Sequence, residues 1–350
     1  GDEATARLGR RPAAELAAVR GDRVAGDVRY NPDGTLDVKP WARPQHDGPA
    51  LRALALLRWR ATEGLSDRAT LDLLDEQIEA DLTFVHDHRH ERCFDLWEEK
   101  LGRHYHTILV QLAALEAGAL RLRPLGGAAT AEAYATAAAA LAEELDGTWH
   151  AAAGTYRARR ATDPPDPSGH VDLAVILGVI QTGRRTGRHS VLDDRIHATI
   201  DRLEAVFAAE YPLNRGARHG GLAYGRYPGD RYVGGGPYLF MTLGAAELYF
   251  RVAEALYGGE RLVRTACNRA WLRGLAPATA AGCRPIADAA MARGDAILAV
   301  VRRLVPASGA MSEQADQTTG EPLSAPDLAW SYAAFISATT ARARAMHARR

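Results

Sequence analysis

The sequence lacks the features that would assign it to a nucleic-acid-binding or membrane-bound class. Its 43 Lys and Arg residues balance 43 Asp and Glu residues, so net charge favours neither nucleic acid nor an anionic membrane as a partner. No apolar run approaches the roughly 18 residues of a membrane-spanning helix. The first residues do not resemble a signal peptide. We expect a soluble protein that is either cytoplasmic or secreted after removal of a signal.

Cysteine and lysine are both scarce. A disulfide between Cys267 and Cys283 is possible, but three cysteines predict no disulfide framework and do not indicate the cellular compartment. Lys39 and Lys100 are the only lysines. The other basic residues are arginines. Because the chain is rich in Ala and Arg, we interpret the preference for Arg over Lys as a nucleotide-composition bias.

One short run carries alternate histidines, from His86 to His90. Alternate histidines on an extended strand could bind zinc from one side. No strand pattern surrounds this run, which lies between predicted helices, so we interpret it as a polar loop. We predict no metal and no cofactor.

Helical periodicity recurs along the chain, whereas strand patterns do not. Five segments space apolar residues by three, four or seven positions, and an Ala-rich segment at 128–146 favours helix by propensity. These five segments are 51–57, 108–119, 196–207, 239–250 and 297–304. We predict roughly ten or eleven helices, the last beginning with Ser324 as its N-cap.

Long Gly- and Pro-rich joints separate the helices, and long ordered loops often carry function. The joints are 31–49, 161–169, 211–236 and 309–322. The helices are too many for a four-helix bundle, and no tight repeat of roughly 34 to 45 residues indicates a solenoid. A closed toroid of paired helices in a single domain, residues 1–350, is the architecture we predict.

Two acidic segments suit the cleavage of a sugar linkage. One is Phe94-Asp95-Leu96-Trp97-Glu98-Glu99, and the other is Gly309-Ala310-Met311-Ser312-Glu313-Gln314. In such a reaction one carboxyl donates a proton and another activates water.

Four segments resemble the glucoamylase family, the inverting glycoside hydrolases of family 15, and they occur in the family's order. They are PWARPQHDGPALRA at 40–53, DLWEE at 95–99, GRYPGDRY at 225–232, and a closing block at 312–334 that contains SEQ, LSA, DL and WSYAA. The resemblance implies an (α/α)6 barrel, with an active site that the long loops build at one mouth of the toroid.

The resemblance also assigns roles to the acidic residues. Glu98 matches the general acid, which must carry a proton near neutral pH, a state that burial or a neighbouring carboxylate favours. Glu99 becomes a substrate ligand and Asp95 a supporting acid. Glu313 matches the general base, which in an inverting enzyme stands roughly 6.5–9.5 Å from the acid.

Further substrate contacts are expected from aromatic and charged loop residues. Arg226 has paired donors suited to vicinal sugar hydroxyls, and tyrosines can stack on pyranose faces. Asp47 has two open roles, in the turn before Pro49 or at the sugar, and we place His104 and His106 at the pocket rim. The expected substrate contacts are Trp41, Asp95, Trp97, Glu99, Arg226, Tyr227, Asp230, Tyr232 and Tyr238.

Two departures from the family pattern bear on activity. The family's upstream W-x-R-D motif, whose Arg-Asp pair clamps glucose, is absent; either the chain is N-terminally incomplete or another element replaces the clamp. An incomplete barrel would expose apolar surface and favour a partner segment or a homo-oligomer. Gly234-Gly235-Gly236-Pro237-Tyr238 stands where the family shows G-x-N-P-W, so the substrate is expected to differ from starch.

The leading hypothesis is an exo-acting, inverting α-glucosidase that releases β-glucose from non-reducing ends. With no starch-binding domain expected, short soluble oligosaccharides are the expected substrates; α-1,4, α-1,6 and trehalose linkages stay open. The alternative is a catalytically silent toroid that binds glycans or serves as a scaffold. A terpene-cyclase-like α-barrel is disfavoured, because no D-x-D-D motif is present and aromatic residues make up only 7% of the chain.

Overall fold

The computed structural model describes residues 24, 26–33, 35–37, 39, 41–62, 64–160, 171–217, 220–276 and 282–350. These residues form two compact units. Among the described residues, the first unit runs to Thr148 and includes Arg159 and Arg160, and the second comprises Trp149–Ala158 and residues 171–350.

The first unit is built from four long helices and one short hairpin. Its elements are α1 (Asp47–Arg60), α2 (Arg68–His88), β1 (Cys93–Phe94), β2 (Leu101–Gly102), α3 (Tyr105–Leu122) and α4 (Ala128–Asp146). The two strands are antiparallel, with Cys93 opposite Gly102. Helix α3 is apolar and buried along most of its length, and it packs against α1 and α4. At Gly118 of α3, a Cβ atom would lie 2.7 Å from Leu82 Cδ1, so glycine permits the close approach of α2.

In the second unit, other helices pack against one buried helix. Its elements are β3 (Trp149–His150), β4 (Thr155–Tyr156), α5 (Ala174–Thr182), α6 (Asp194–Glu210), α7 (Leu239–Tyr257), α8 (Arg269–Leu275), α9 (Arg284–Leu304), β5 (Gln314–Ala315), β6 (Pro322–Leu323) and α10 (Ala329–Ala348). The strands pair as antiparallel hairpins, β3 with β4 and β5 with β6. Helix α7 is almost wholly buried and packs against α9 and α10. Phe240 of α7 stacks on Trp330 of α10, with ring centroids 4.1 Å apart.

The predicted helices are confirmed, including the Ala-rich helix, which spans Ala128–Asp146. The five periodic segments lie on α1, α3, α6, α7 and α9. Within the part of the chain that the structure describes, no helix is both long and apolar enough to cross a membrane.

Two local predictions were wrong, and one open question is settled. Helix α10 begins at Ala329 with Leu328 as its N-cap, because the hydroxyl of Ser324 bonds to Glu313 instead. His86 and His88 belong to the last turn of α2 rather than to a loop. The bridge between Cys267 and Cys283, which the sequence left open, is not formed, because both residues are free thiols.

Candidate active site

Glu98 lies in the tight turn between β1 and β2 and has a backbone φ of 62°. A positive φ is uncommon for a residue with a side chain, and such strain clusters at functional sites. Asp95 organises this turn: its Oδ1 accepts hydrogen bonds from the backbone N–H groups of Glu99 at 2.8 Å and Lys100 at 3.3 Å. The backbone N–H of Glu98 also bonds to the carbonyl of Asp95 at 2.9 Å. The turn therefore fixes the backbone from which the Glu98 carboxylate extends.

Two neutral donors converge on one oxygen of Glu98. Trp41 Nε1 donates to Glu98 Oε1 at 2.6 Å, and Gln45 Nε2 donates to the same atom at 3.2 Å. The backbone N–H of Phe94 bonds to the carbonyl of Pro44 at 2.8 Å and so attaches the 41–46 segment to β1. With both donors on Oε1, a proton on this carboxyl is directed to Oε2.

Gln45 was not selected from the sequence, although it lies within the matched segment at 40–53. An amide that contacts a carboxylate 53 positions later leaves no local signal. Trp97, by contrast, was expected at the substrate, and its side chain is largely covered, with 8% of the residue exposed.

The histidines expected at the pocket rim are buried, so that prediction was wrong. His104 is 4% exposed and His106 is 1% exposed. His104 Nε2 bonds to the carbonyl of Cys93 at 3.0 Å, and burial lowers its pKa to about 4. His106 Nδ1 lies 3.6 Å from Asp47 Oδ2 at the start of α1. The side chains of His106 and Asp47 therefore belong to the packing between α1 and α3.

In the second unit, Arg226 and Asp230 form a buried two-pronged ion pair. Arg226 Nε donates to Asp230 Oδ2, and Arg226 Nη2 donates to Asp230 Oδ1, both at 2.7 Å. Three tyrosine rings surround the guanidinium: the Cζ atom of Arg226 lies 5.1 Å from the centroid of Tyr227, 5.4 Å from Tyr232 and 5.3 Å from Tyr238. Tyr232 is 50% exposed, whereas Tyr238 is 2% exposed. The guanidinium of Arg226, held by Asp230, therefore lies beside one accessible ring, Tyr232, and one buried ring, Tyr238.

Glycines allow the backbone of this cluster to pack closely. A Cβ atom on Gly225 would lie 1.9 Å from Tyr211 Oη, and one on Gly236 would lie 2.0 Å from the carbonyl oxygen of Ala315. Gly235 has a φ of 67°, and a Cβ atom there would lie 1.9 Å from the carbonyl oxygen of Asp230. The Gly234-Gly235-Gly236 run therefore brings the loop against the chain that follows Glu313.

Glu313 is held by backbone bonds on both sides and by one hydroxyl. Its N–H donates to the carbonyl of Ala325 at 2.8 Å, and its carbonyl accepts from the N–H of Leu239 at 3.1 Å. Ser324 Oγ donates to Glu313 Oε2, and Ser324 has a φ of 63°. Each of the two candidate catalytic carboxylates thus depends on a residue in the left-handed region.

The predicted site residues fall in both units. Within the first unit the structure brings Trp41 to Glu98, next to Asp95, Trp97 and Glu99. Within the second unit it brings Tyr227, Asp230, Tyr232 and Tyr238 around Arg226. Among the described residues, no group of three or more His, Cys, Asp or Glu side chains is placed to hold a metal ion.

Residues 26–340 match the family model described as glycosyl hydrolases family 15. Glucoamylase P of Amorphotheca resinae is 31% identical over 337 residues, which cover 91% of this chain and 53% of the relative. The glucoamylase of Blastobotrys adeninivorans is 28% identical, with 91% and 56% covered. The chain thus spans about half the length of these curated relatives.

Solved structures agree with the sequence match. A family 15 glucoamylase from Hypocrea jecorina is similar with a TM-score of 0.83 and 28% identity, over 93% of this chain and 56% of that one. A glucoamylase from Saccharomycopsis fibuligera has the same TM-score at 24% identity, over 92% of this chain and 75% of that one. These likenesses confirm the predicted all-α, (α/α)6-barrel fold class. The chain belongs to glycosyl hydrolase family 15.

Proposed function

We propose that the protein is an exo-acting, inverting α-glucoside hydrolase that releases β-glucose from the non-reducing ends of short α-glucans or oligosaccharides, with α-1,4 or α-1,6 linkages. Family membership supports hydrolysis of a glycosidic bond, and the similar relatives are named glucoamylases. The observation that carries the proposal is the pair of hydrogen bonds from Trp41 and Gln45 to Glu98 Oε1, on a backbone of positive φ.

The reaction is a single displacement. Glu98 gives a proton to the glycosidic oxygen while the bond between that oxygen and C1 of the glucosyl unit breaks. A water molecule attacks C1 from the opposite face and loses a proton to Glu313. The products are β-glucose and an alcohol, and proton exchange with solvent restores both carboxyls.

The hydrogen bonds within each unit suit these separate roles. Neutral donors on Oε1 of Glu98 hold the carboxyl without contributing a full positive charge, so they fix its orientation in both protonation states. Ser324 donates a hydrogen bond to Oε2 of Glu313, which fixes the orientation of that carboxyl group. Each carboxyl is therefore held in a manner consistent with its assigned role.

The remaining predicted residues are proposed to contact the sugar. Tyr227 and Tyr232 offer aromatic faces beside Arg226, and Tyr232 is half exposed. Because Asp230 engages Nε and Nη2 of Arg226, we assign the ion pair to a fixed polar wall rather than to a mobile clamp. We also propose that Glu99 and Asp95 of the first unit contact the sugar.

The proposal is tested by following the anomer of released glucose by proton NMR, with maltose, isomaltose and trehalose incubated separately. The expected first product from maltose or isomaltose is β-glucose. α-Glucose as first product would contradict the inverting mechanism, and no glucose from any of the three would support the silent glycan-binding toroid.

Charge-removing variants test the two carboxyls separately. Glu98→Gln and Glu313→Gln should each lower kcat by about 10²–10⁴-fold, the contribution of a positioned acid or base. Glu143→Gln removes an exposed carboxyl of α4 and should leave kcat unchanged.

A further inference from the structure

A cation lies against the indole that holds Glu98. The guanidinium carbon of Arg29 is 3.8 Å from the ring centroid of Trp41, close enough for a cation–π contact. The same indole donates from Nε1 to Glu98 Oε1 at 2.6 Å. Arg29 is thus one side chain removed from the proposed general acid.

Arg29 is itself fixed by Asp37. Arg29 Nε and Nη2 lie 2.9 and 2.8 Å from Asp37 Oδ2, and Asp37 is 6% exposed. The backbone N–H of Asp37 bonds to the carbonyl of Arg29 at 3.2 Å, next to an antiparallel bridge between Tyr30 and Leu36. This backbone pairing places the side chains of Arg29 and Asp37 next to each other independently of the contact with Trp41.

A second arginine secures Asp37. Arg43 Nη2 donates to the carbonyl of Asp37 at 2.6 Å, and the N–H of Lys39 donates to Asp37 Oδ1 at 2.9 Å. Arg43 lies two positions after Trp41, so the segment that carries the indole is attached to the segment that carries the cation. Arg29, Asp37 and Arg43 therefore form one brace, which we call the arginine brace.

We propose that Arg29 is a positioning residue for the reaction: its guanidinium, held by Asp37, fixes the plane of Trp41 and directs the indole N–H at Glu98 Oε1. This inference rests on the proposed function of Glu98. No contact of Arg29 with substrate is required.

The chemistry of guanidinium explains why arginine suits this position. Its planar face can lie on an indole while its edge binds a carboxylate, whereas a lysine ammonium cannot do both. A positive charge at the ring face also polarises the indole N–H and strengthens its bond to the carboxyl. Asp95, Glu99 and Lys100 lie in the same turn as Glu98, so the effect of Arg29 must be measured against theirs.

Two kinetic variants separate positioning from general stability. Arg29→Met should lower kcat for maltose by about five- to tenfold, the scale of one weakened hydrogen bond, with KM little changed. The basic limb of the pH–rate profile should also move. Arg29→Lys should recover only part of kcat. Arg68→Met removes an exposed arginine paired with Asp72 and is the control that should leave kcat and pH profile unchanged.

A double-mutant cycle tests whether Arg29 acts through the indole. Trp41→Phe retains a ring but removes the N–H donor. In that background Arg29→Met should cause no further loss of kcat, because the bond that Arg29 directs is already absent. Equal losses in the two backgrounds would overturn the proposal.

An activity-independent measurement separates this inference from the proposed function. The Trp41 indole N–H resonance, identified by its loss in Trp41→Phe, should move upfield in Arg29→Met and stay in place in Arg68→Met. If the wild-type protein releases no glucose but this resonance moves, the proposed function fails and the positioning contact stands. An unchanged resonance in Arg29→Met overturns the positioning role whatever the activity.

Discussion

Ser324 donates a hydrogen bond from its hydroxyl to Oε2 of Glu313, and it does so from a backbone φ of 63°. The proposed base therefore depends on a residue whose backbone lies in the left-handed region, where a side chain is strained. Glycine relieves such strain, and alanine does not. The hydroxyl and the backbone can thus be tested separately at one position.

Ser324→Ala and Ser324→Gly should both lower kcat, by about tenfold, because each removes a hydrogen bond to a charged group. They should differ in stability: Ser324→Ala keeps the strained φ, whereas Ser324→Gly relaxes it. Paired measurements of kcat and the thermal midpoint check both parts. Wild-type kcat in Ser324→Gly would show that the hydroxyl does not serve the base.

Asp230→Asn should strongly destabilise the second unit. The variant leaves Arg226, which is 4% exposed, without its charge partner, and breaking a buried pair costs about 3–5 kcal/mol. Asp72→Asn breaks the exposed pair with Arg68 and should cost less than about 1 kcal/mol. Urea unfolding followed by circular dichroism measures both. Similar losses for the two variants would contradict the structural role assigned to the buried pair.

Gly236→Ala should prevent normal folding of the loop beside Glu313. The new Cβ atom would lie 2.0 Å from the carbonyl oxygen of Ala315, and backbone cannot retreat as a flexible side chain does. Gly274→Ala is the matched control, because nothing lies within 4 Å of its Cβ position and alanine favours the helix α8. The expected result is a lower thermal midpoint for Gly236→Ala and an unchanged or higher one for Gly274→Ala.

Acid should destabilise the protein through buried histidines. Burial lowers the pKa of His46 and His197 to about 4, below the ordinary value of 6.5. Between pH 6.5 and 4 the unfolded chain therefore binds protons that the folded chain does not, so stability is complete above pH 6.5 and falls as pH decreases. Each histidine contributes about 1.4 kcal/mol per pH unit in this window.

The measurement is the unfolding free energy from urea titrations at pH 7, 6 and 5. His46→Gln and His197→Gln should each reduce its dependence on pH, whereas His347→Gln alters an exposed histidine of α10 and should not. Part of the pH dependence should remain in both variants, because burial also lowers the pKa of His104 to about 4. A pH dependence that is unchanged in both variants would contradict the prediction.

Sequence patterns predicted the helices well because their signals are local. The alanines of α4 give its bounds, and the spacing of Leu239, Leu243, Ala246 and Phe250 identifies α7. The start of α10 was misplaced because serine is a preferred N-cap residue, whereas the hydroxyl of Ser324 bonds to Glu313 instead. The hydrogen bond from Ser324 to Glu313 replaces the capping bond. Glu313 lies 11 positions earlier in the chain, so a short sequence window around Ser324 does not contain it.

The candidate site was predicted by motif rather than by physics. Glu98, Trp41 and Arg226 came from matched segments, and their roles stay predictions. Gln45 and Arg29 were missed because each acts on a residue distant in the chain or through an intermediate ring. His104 was misplaced at the rim because its position was taken from the family pattern, whereas its Nε2 bonds to the carbonyl of the buried Cys93.

The φ of 62° at Glu98 sets the needs of the reaction against those of stability. Glu98→Gly would relax the backbone of the turn, but it would also remove the proposed acid and the acceptor of the hydrogen bonds from Trp41 and Gln45. Where the relaxed backbone outweighs those two bonds, selection of random variants for heat resistance alone enriches chains without the proposed acid. Any effort to evolve a more heat-resistant form of this protein must score activity and stability together.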